Sequence, residues 1–363
     1  MSTTNTMPQL DIIFKGLGVT AVKRAERGDA VLILNDTTPG EPKKYYKTIE
    51  DFTSEEQAKF TKDNVKLVKD ALEGIPLKLY VFKVGEEELI TDKLKVIGGV
   101  IPRNCWIGTP DNSYATELVT WVKAKRKNDK KRYKMVGHKL TAPDDMGIVN
   151  FTNEKVTFSD DRGEVTGNQA VPYLLGFLAG ISLNMSAIAF ELGKFSNVIE
   201  PEELDTAIGN GEFVLFNDEG IVKVARAVNS LSTIGQDVTI EMTHINTVEK
   251  MDLIYCDIYT AWDKSYKGKY PNITNNQMLL ISAINSYFKG LAIDYILDPN
   301  FENISFIDLD QQRLANYAKY GQEEVESWDD EKVRQMTVGT NVFLKANIKV
   351  SGIMEDFLFN IYM

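Results

Sequence analysis

Two histidines, His138 and His244, are the side chains of this 363-residue chain best suited to move a proton near neutral pH. A hydrolase built on either would need a nucleophile within reach and a third group to orient the ring. Neither histidine lies in an HExxH pair, the spacing that puts two zinc ligands on one helical face. The chain also lacks a G-x-S-x-G elbow, a GxxxxGK[ST] phosphate loop and a GxGxxG fingerprint. GLGVTA (16–21) echoes the last of these, but Ala21 stands where its third glycine belongs. His138 closes an apolar run and His244 sits in IEMTHINT, so each reads as a hydrogen-bonded structural side chain. Adjacent carboxylates occur at Asp144-Asp145, Asp160-Asp161 and Asp329-Asp330. Neighbours on a strand point to opposite faces, so local geometry does not let such a pair share a proton. They read as loop or helix-capping acids. Cys105 and Cys256 are the only cysteines, too few for a disulfide framework, and fit small core residues in a reducing compartment. These residues imply no catalytic, cofactor-binding or metal-binding site, and no cofactor.

Composition narrows the remaining classes. The chain is 43% hydrophobic and 26% charged, as a soluble globular protein of two or three domains would be. A formal net charge of -11 argues against general nucleic-acid binding. The longest apolar stretch, VPYLLGFLAGISL (171–183), falls short of the ~20 residues that cross a bilayer. MSTTNTMPQLD lacks the basic start and apolar core of a secretory signal. WVKAKRKNDKKRY (121–133) is the one basic cluster, read as the wet end of a helix, with contact to an acidic partner as the alternative.

The elements that would position any site alternate in type. DAVLIL (29–34) is a nearly unbroken apolar run, as in a sheet covered on both faces. A helix is expected from the SEEQ capping box at 54–57, with Val65, Val68 and Leu72 inward and Gly74 as its stop. Strands are expected at 76–82, 104–109, 133–138 and 147–151, with a helix over 112–128. Strand, helix, strand, helix is the grammar of a mostly parallel α/β sheet. Residues 168–192 read as a buried helix rich in small residues and its exit, and 212–233 as a β-hairpin turning at Asn217-Asp218-Glu219-Gly220. Further helices are expected around 245–266, from 275 to Asp298-Pro299, and at DQQRLANYAKY and SWDDEKVRQM, with a strand at NISFIDL.

Both ends of the chain read as strands. Leu10, Ile12 and Phe14 alternate against Gln9, Asp11 and Lys15 near the start. Val342, Leu344, Ala346, Ile348 and Val350 alternate near the finish, and MEDFLFNIYM follows as a further strand. An unpaired apolar strand is a liability unless a neighbour takes it up, and β-augmentation does so through main-chain hydrogen bonds.

Three stretches carry a resemblance to a known family: DIIFKGLGVTAVKRAERGDAVLIL (11–34), the pair YLLGFLAGISLNMSAIAFEL and GEFVLFNDEGIVKVARAVNSLST, and NVFLKANIKVSGIMEDFLFNIYM at the end. The middle pair holds Gly176, Ala179, Gly180 and Ser186, then the R-x-V-N-[ST]-L pattern at Arg226, Val228, Asn229 and Leu231. In order and spacing the chain resembles contractile tail sheath proteins of phages, phage-tail-like bacteriocins and defective prophages.

That resemblance implies an α/β protein with a central subtilisin-like sheet domain lacking a catalytic triad, a C-terminal α+β domain and β-strand arms at both termini. The boundaries it suggests are an N-terminal arm (1–25), an N-terminal α/β part (26–100), the subtilisin-like domain with its hairpin (101–235), a C-terminal helical or α+β domain (236–336), and terminal strands and arm (337–363). It implies no enzyme but a structural subunit that stacks in hexameric rings around an inner tube and contracts to drive that tube through a cell envelope. Its partners would be other copies of itself, the tube protein, and baseplate and terminator proteins, without nucleic acid or membrane insertion. It would reside in a virion tail or phage-tail-like particle assembled in the bacterial cytoplasm. Leu10, Ile12 and Phe14 would form the N-terminal arm interface, and Gly16 and Gly18 its hinge. Val342, Leu344, Ile348 and Val350 would belong to the acceptor sheet, and Phe357, Phe359 and Ile361 to the C-terminal arm. Arg313, Lys319, Lys332 and Arg334 are candidate tube contacts. Two other readings stay open: an oligomeric α/β enzyme, and a different self-assembling shell protein.

Overall fold

The computed structural model describes residues 28–362. They fold into two compact units, 28–256 with 350–362, and 257–349. The fold is mixed α+β.

The first unit grows from β1 (Asp29–Asn35), in which Ala30 to Leu34 are fully buried. Ala30, Leu32 and Leu34 enter one hydrophobic cluster and Val31 and Ile33 another, so β1 is covered on both faces. The chain leaves through α1 (Ser54–Gln57) and α2 (Lys62–Glu73) and returns as β2 (Lys78–Val84), parallel to β1 with Asp29 opposite Lys78. It continues through α3 (Ile90–Val100), β3 (Asn104–Gly108), α4 (Ala115–Lys127), β4 (Arg132–His138) and β5 (Ile148–Phe151).

Two local expectations change. The first cap is Thr53, whose hydroxyl accepts from the Glu56 amide; Thr-x-x-Glu provides the capping spacing one residue before Ser54. The helix then breaks, and α2 restarts on its own cap, Thr61. Helix α3 has no counterpart in the sequence reading. It ends in Gly98-Gly99, poor helix formers, and is held by burial of Ile90, Leu94 and Ile97.

Beyond β5 come β6 (Lys155–Phe158), β7 (Glu164–Thr166), α5 (Val171–Gly180), β8 (Phe195–Val198), α6 (Leu204–Gly209) and β9 (Glu212–Phe213). Strand β9 completes a six-stranded parallel sheet in the order β2-β1-β3-β4-β5-β9; β7-β6-β8 form a small antiparallel sheet. Leu67, Val68 and Ala71 of α2 share a core with Leu174, Leu175 and Leu178 of α5. Leu94 and Ile97 of α3 and Leu118 and Val122 of α4 belong to the other cluster. The small-residue pattern of α5 has a direct cause. A Cβ on Gly176 would lie 1.9 Å from the Ala71 carbonyl oxygen, and one on Gly180 would lie 1.9 Å from that of Gly74. The helices touch backbone to backbone.

Charge is sorted with equal economy. The Asp70 carboxylate of α2, 2% exposed, holds Arg162 from the β6–β7 turn (Nη2–Oδ1 3.0 Å) and Lys194 at 2.8 Å. Arg162 also binds Asp160, whose carboxyl is thereby held down at about 2. A depressed carboxylate contributes stability above its unfolded pKa of ~3.9 and loses it as pH falls through the folded value. The melting-temperature gap between wild type and Asp160→Asn is therefore expected to be constant above pH ~5, to shrink as pH falls below that and to close only below pH ~2, as calorimetry across that range would measure. The basic cluster at 121–133 is not simply the wet end of a helix. Arg126 is 8% exposed and forms a bidentate pair with Asp252, while Arg132 lies over the Tyr255 ring at 3.7 Å. The Asp252 carboxylate comes from the facing helix α7 (Ile245–Ala261), which the local reading could not supply.

The expected hairpin is β10 (Leu215–Asp218) and β11 (Ile221–Val224). Glu219 (φ 52°) and Gly220 (φ 82°) turn it, the left-handed pair a tight hairpin asks for.

In the second unit α8 (Thr274–Ile293) is followed by β12 (Ile304–Ile307), α9 (Leu309–Tyr320), α10 (Gln322–Glu326), α11 (Asp330–Gln335) and β13 (Leu344–Asn347). Helix α8 stops at Ile293 rather than at Asp298-Pro299, because Tyr295 adopts a left-handed φ of 57° and turns the chain first. Val325, Trp328 and Val333 make a small core for the last three helices. No helix among the described residues is long and apolar enough to cross a membrane.

Candidate assembly interface

Strands β12 and β13 form an isolated antiparallel pair, with Ile304 opposite Asn347 and Ile307 opposite Leu344. Among the described residues the outer edge of β13 pairs with no strand. Leu344 lies within β13; Val342 precedes it and Ile348 follows, all three half-buried. The ladder is shorter than the alternation of Val342 to Val350 suggested, and Val350 belongs with the other unit. Against the pair lies an apolar groove of about 310 Å³, lined by Trp262, Leu280, Ile284, Phe288, Leu344 and Ala346. An open edge beside an apolar floor can accept a further strand: main-chain groups bind the edge and alternate side chains enter the groove.

The C-terminal residues differ from the sequence reading. Among the described residues Met354 to Tyr362 form no strand; 351–362 carry no regular structure and no backbone–backbone hydrogen bond to another described residue. Phe357, Phe359 and Ile361 are 88%, 68% and 73% exposed, and Met354, Leu358 and Tyr362 are also largely bare. The rings of Phe357 and Phe359 lie 6.0 Å apart and nearly parallel, as side chains two apart do on one face of an extended chain. A strand makes hydrogen bonds only with a partner, and the described residues offer it none.

The root of this segment is held firmly. Lys250 of α7, fully buried, donates through Nζ to the Ser351 carbonyl (2.7 Å). Ser186 Oγ lies 2.9 Å from Glu355 Oε1, and Arg226 binds Asp356 through both terminal nitrogens (2.6 and 3.3 Å). Arg226 Nη2 and His244 Nδ1 approach the second Glu355 oxygen at 3.5 and 3.4 Å. Arg226 holds the Asp356 carboxyl below the usual carboxylate range. Local pairing sets the three grips. Val228 bridges His244, Asn229 donates from Nδ2 to the Met242 carbonyl, and Asn246 donates to the carbonyls of Leu183 and Met185 just ahead of Ser186. The R-x-V-N pattern thus pins the hairpin exit to the start of α7.

The other candidate residues are dispersed. Leu10, Ile12, Phe14, Gly16 and Gly18 lie outside the described residues. Arg313 donates to the Val325 and Trp328 carbonyls and pairs with Asp330, which ties α9 to α10, the loop after it and the start of α11. Lys319 lies over Tyr320 and Lys332 over Trp328, both exposed, and exposed Arg334 ends the same cluster. His138 donates through Nε2 to the Asn153 carbonyl (2.9 Å), and burial lowers its pKa. Cys105 is buried and Cys256 half-buried. No group of three or more His, Cys, Asp or Glu among the described residues could hold a metal ion. Sequence reasoning missed the partners of Ser186, Arg226 and His244, since Glu355 and Asp356 lie over a hundred residues away in the chain.

No protein-family model matches the chain. It is 26% identical over 366 residues to the tail sheath protein of Clostridium phage phiCD119, covering 98% of each chain. Its fold is similar to that of the sheath tail protein Lin1278 from Listeria innocua, with a TM-score of 0.66 at 17% identity over 79% of this chain and 90% of that one. It is also similar to the helical sheath of the anti-feeding prophage in its contracted state, with a TM-score of 0.68 at 11% identity over 99% of each chain.

Proposed function

We propose that this chain, 26% identical to a phage tail sheath protein and similar in fold to solved sheath proteins, is a structural subunit of a contractile sheath, polymerised around an inner tube through strand exchange between copies. The observation that carries the exchange is the tail from Met354 to Tyr362. Its large apolar side chains are bare and its backbone unpaired, on a chain that also presents an open-edged strand over an apolar groove. If one arm makes about eight inter-strand hydrogen bonds at a net ~0.5–1.5 kcal/mol each, the linkage is of order 4–12 kcal/mol before ordering costs. That suffices to hold a mesh while the bodies rotate as rigid units.

In this reading the arms are Leu10, Ile12 and Phe14 at one end and Phe357, Phe359 and Ile361 at the other. Val342, Leu344 and Ile348 serve the acceptor sheet, without Val350, and Gly16 and Gly18 let the N-terminal arm swing. Subunits stack in hexameric rings. Lys319, Lys332 and Arg334 are free to meet the tube, whereas Arg313 is spent on its own helices. Baseplate and terminator proteins would bound the polymer, which assembles in the host cytoplasm. We read the parallel sheet with helices on both faces as a subtilisin-like domain whose catalytic role is absent, His138 being tied to a carbonyl. The domain limits at residues 25, 100, 235 and 336 belong to the same reading. Contraction then releases energy stored on assembly, with the extended form held by tube contacts or a barrier.

Replacing Ile12 and Phe14 together by Asp is expected to leave the melting curve unchanged and to cut the sedimenting polymer at least about tenfold, since charge cannot enter an apolar groove unpaired. Polymer at the wild-type level would remove the N-terminal arm from the account.

A further inference from the structure

We infer that Ser186, Arg226 and His244 form a receptor for the Glu355-Asp356 pair that fixes where the C-terminal arm leaves its own body. The inference rests on the strand-exchange reading and adds what that reading lacks, the origin and reach of the arm. Three side chains from three separate segments face one carboxylate that is 8% exposed: Ser186 is hydrogen-bonded to one oxygen, and Arg226 and His244 stand 3.5 and 3.4 Å from the other, which accepts no hydrogen bond from the described residues. Arg226 at the same time grips the next carboxylate bidentately, a geometry that fixes orientation as well as position. Lys250 grips the chain a few residues earlier. Between Ser351 and Asp356 the segment is therefore held at three points, and from Phe357 to Tyr362 it is bare.

Beyond the receptor the described arm runs from Phe357 to Tyr362, six residues that span about 20 Å when extended at ~3.3 Å per residue. For these residues to pair, the acceptor edge on the next copy must lie within about that distance of the Arg226 guanidinium while the two copies stay linked. Without the receptor the arm would swing from Ser351. It would be longer, would meet its acceptor at lower effective concentration, and would have more residues to order on docking. Ser186, Arg226 and His244 are positioning residues: they touch the root of the arm and not the partner.

The test uses a glutamate-specific protease on the full-length chain below its polymerising concentration. Cleavage after Glu355 frees residues 356–363 and needs that side chain out of its receptor. In wild type it should be slower than cleavage at exposed glutamates such as Glu302. Arg226→Ala and His244→Ala should each speed it about tenfold or more with an unchanged melting temperature, and Arg226→Lys should fall between. Arg226→Ala should also raise the concentration needed for polymer about tenfold, by the longer tether and its ordering. Wild-type cleavage rates in the alanine variants, or polymer at the wild-type concentration, would overturn the receptor. A wild-type chain that never polymerises would instead strike at strand exchange, and the cleavage rates would still decide the receptor.

Discussion

A chain ending at Ile353 is expected to fold and to form no tubes. The removed residues carry Phe357, Phe359 and Ile361, all bare, so their loss takes almost nothing from the core. What the body loses is the contact of Glu355 and Asp356 with Ser186, Arg226 and His244. The Arg226–Asp356 pair is exposed, and exposed pairs contribute ~0–1 kcal/mol; removing buried Glu355 leaves Arg226 and His244, both partly exposed, to water, so the melting temperature of a body this size should move by no more than ~4 °C. The polymer loses every hydrogen bond of the arm ladder at once, together with burial of its rings. Circular dichroism on heating should thus barely change, while sedimentation shows only small species. Mixed with full-length chain, the truncated subunit should also shorten tubes, because it accepts an arm and offers none. Tubes of wild-type length from the truncated chain alone would show that the C-terminal residues are not the donor strand.

The second large effect is internal. Gly176→Val should prevent the first unit from folding normally. Even the Cβ common to all other residues would sit 1.9 Å from the Ala71 carbonyl oxygen, and the next backbone contact, Gly180 against Gly74, is equally close. Relief requires α5 to move away from α2, which opens the core shared by Val68, Ala71, Leu174 and Leu175. Overpacking a core costs ~1–3 kcal/mol when side chains can yield. Here the obstacle is backbone, so a loss of at least ~3 kcal/mol is expected, or a fall of roughly 6–12 °C in melting temperature. Gly193→Ala is the control, since its Cβ would meet nothing within 4 Å. A Gly176→Val protein that melts with wild type would mean that the two helices do not meet through their backbones.

Much of the fold was legible because its signals are local. The unbroken apolar run of β1 announced a sheet covered on both faces, and Asp218-Glu219-Gly220 announced a tight hairpin. What escaped is set by partners distant in sequence. Helix α3 carries two glycines and is decided by the core it covers. Arg126 looked like a surface cation until Asp252, on another helix, buried it. The final residues have strand periodicity, yet periodicity states what a segment is ready to do and not whether its partner is present. The small-residue run and the R-x-V-N pattern stood out as resemblance before their physical reasons were visible. The first lets two helices touch; the second sets Arg226 and His244 side by side beneath Glu355.

The most direct measurement is negative-stain electron microscopy of the purified full-length chain, without partners, over rising concentration and again with tube protein added. The account predicts hollow, open-ended tubes with stacked rings, present for the full chain and absent for the chain ending at Ile353. Closed shells or small discrete oligomers, unchanged by tube protein, would contradict it.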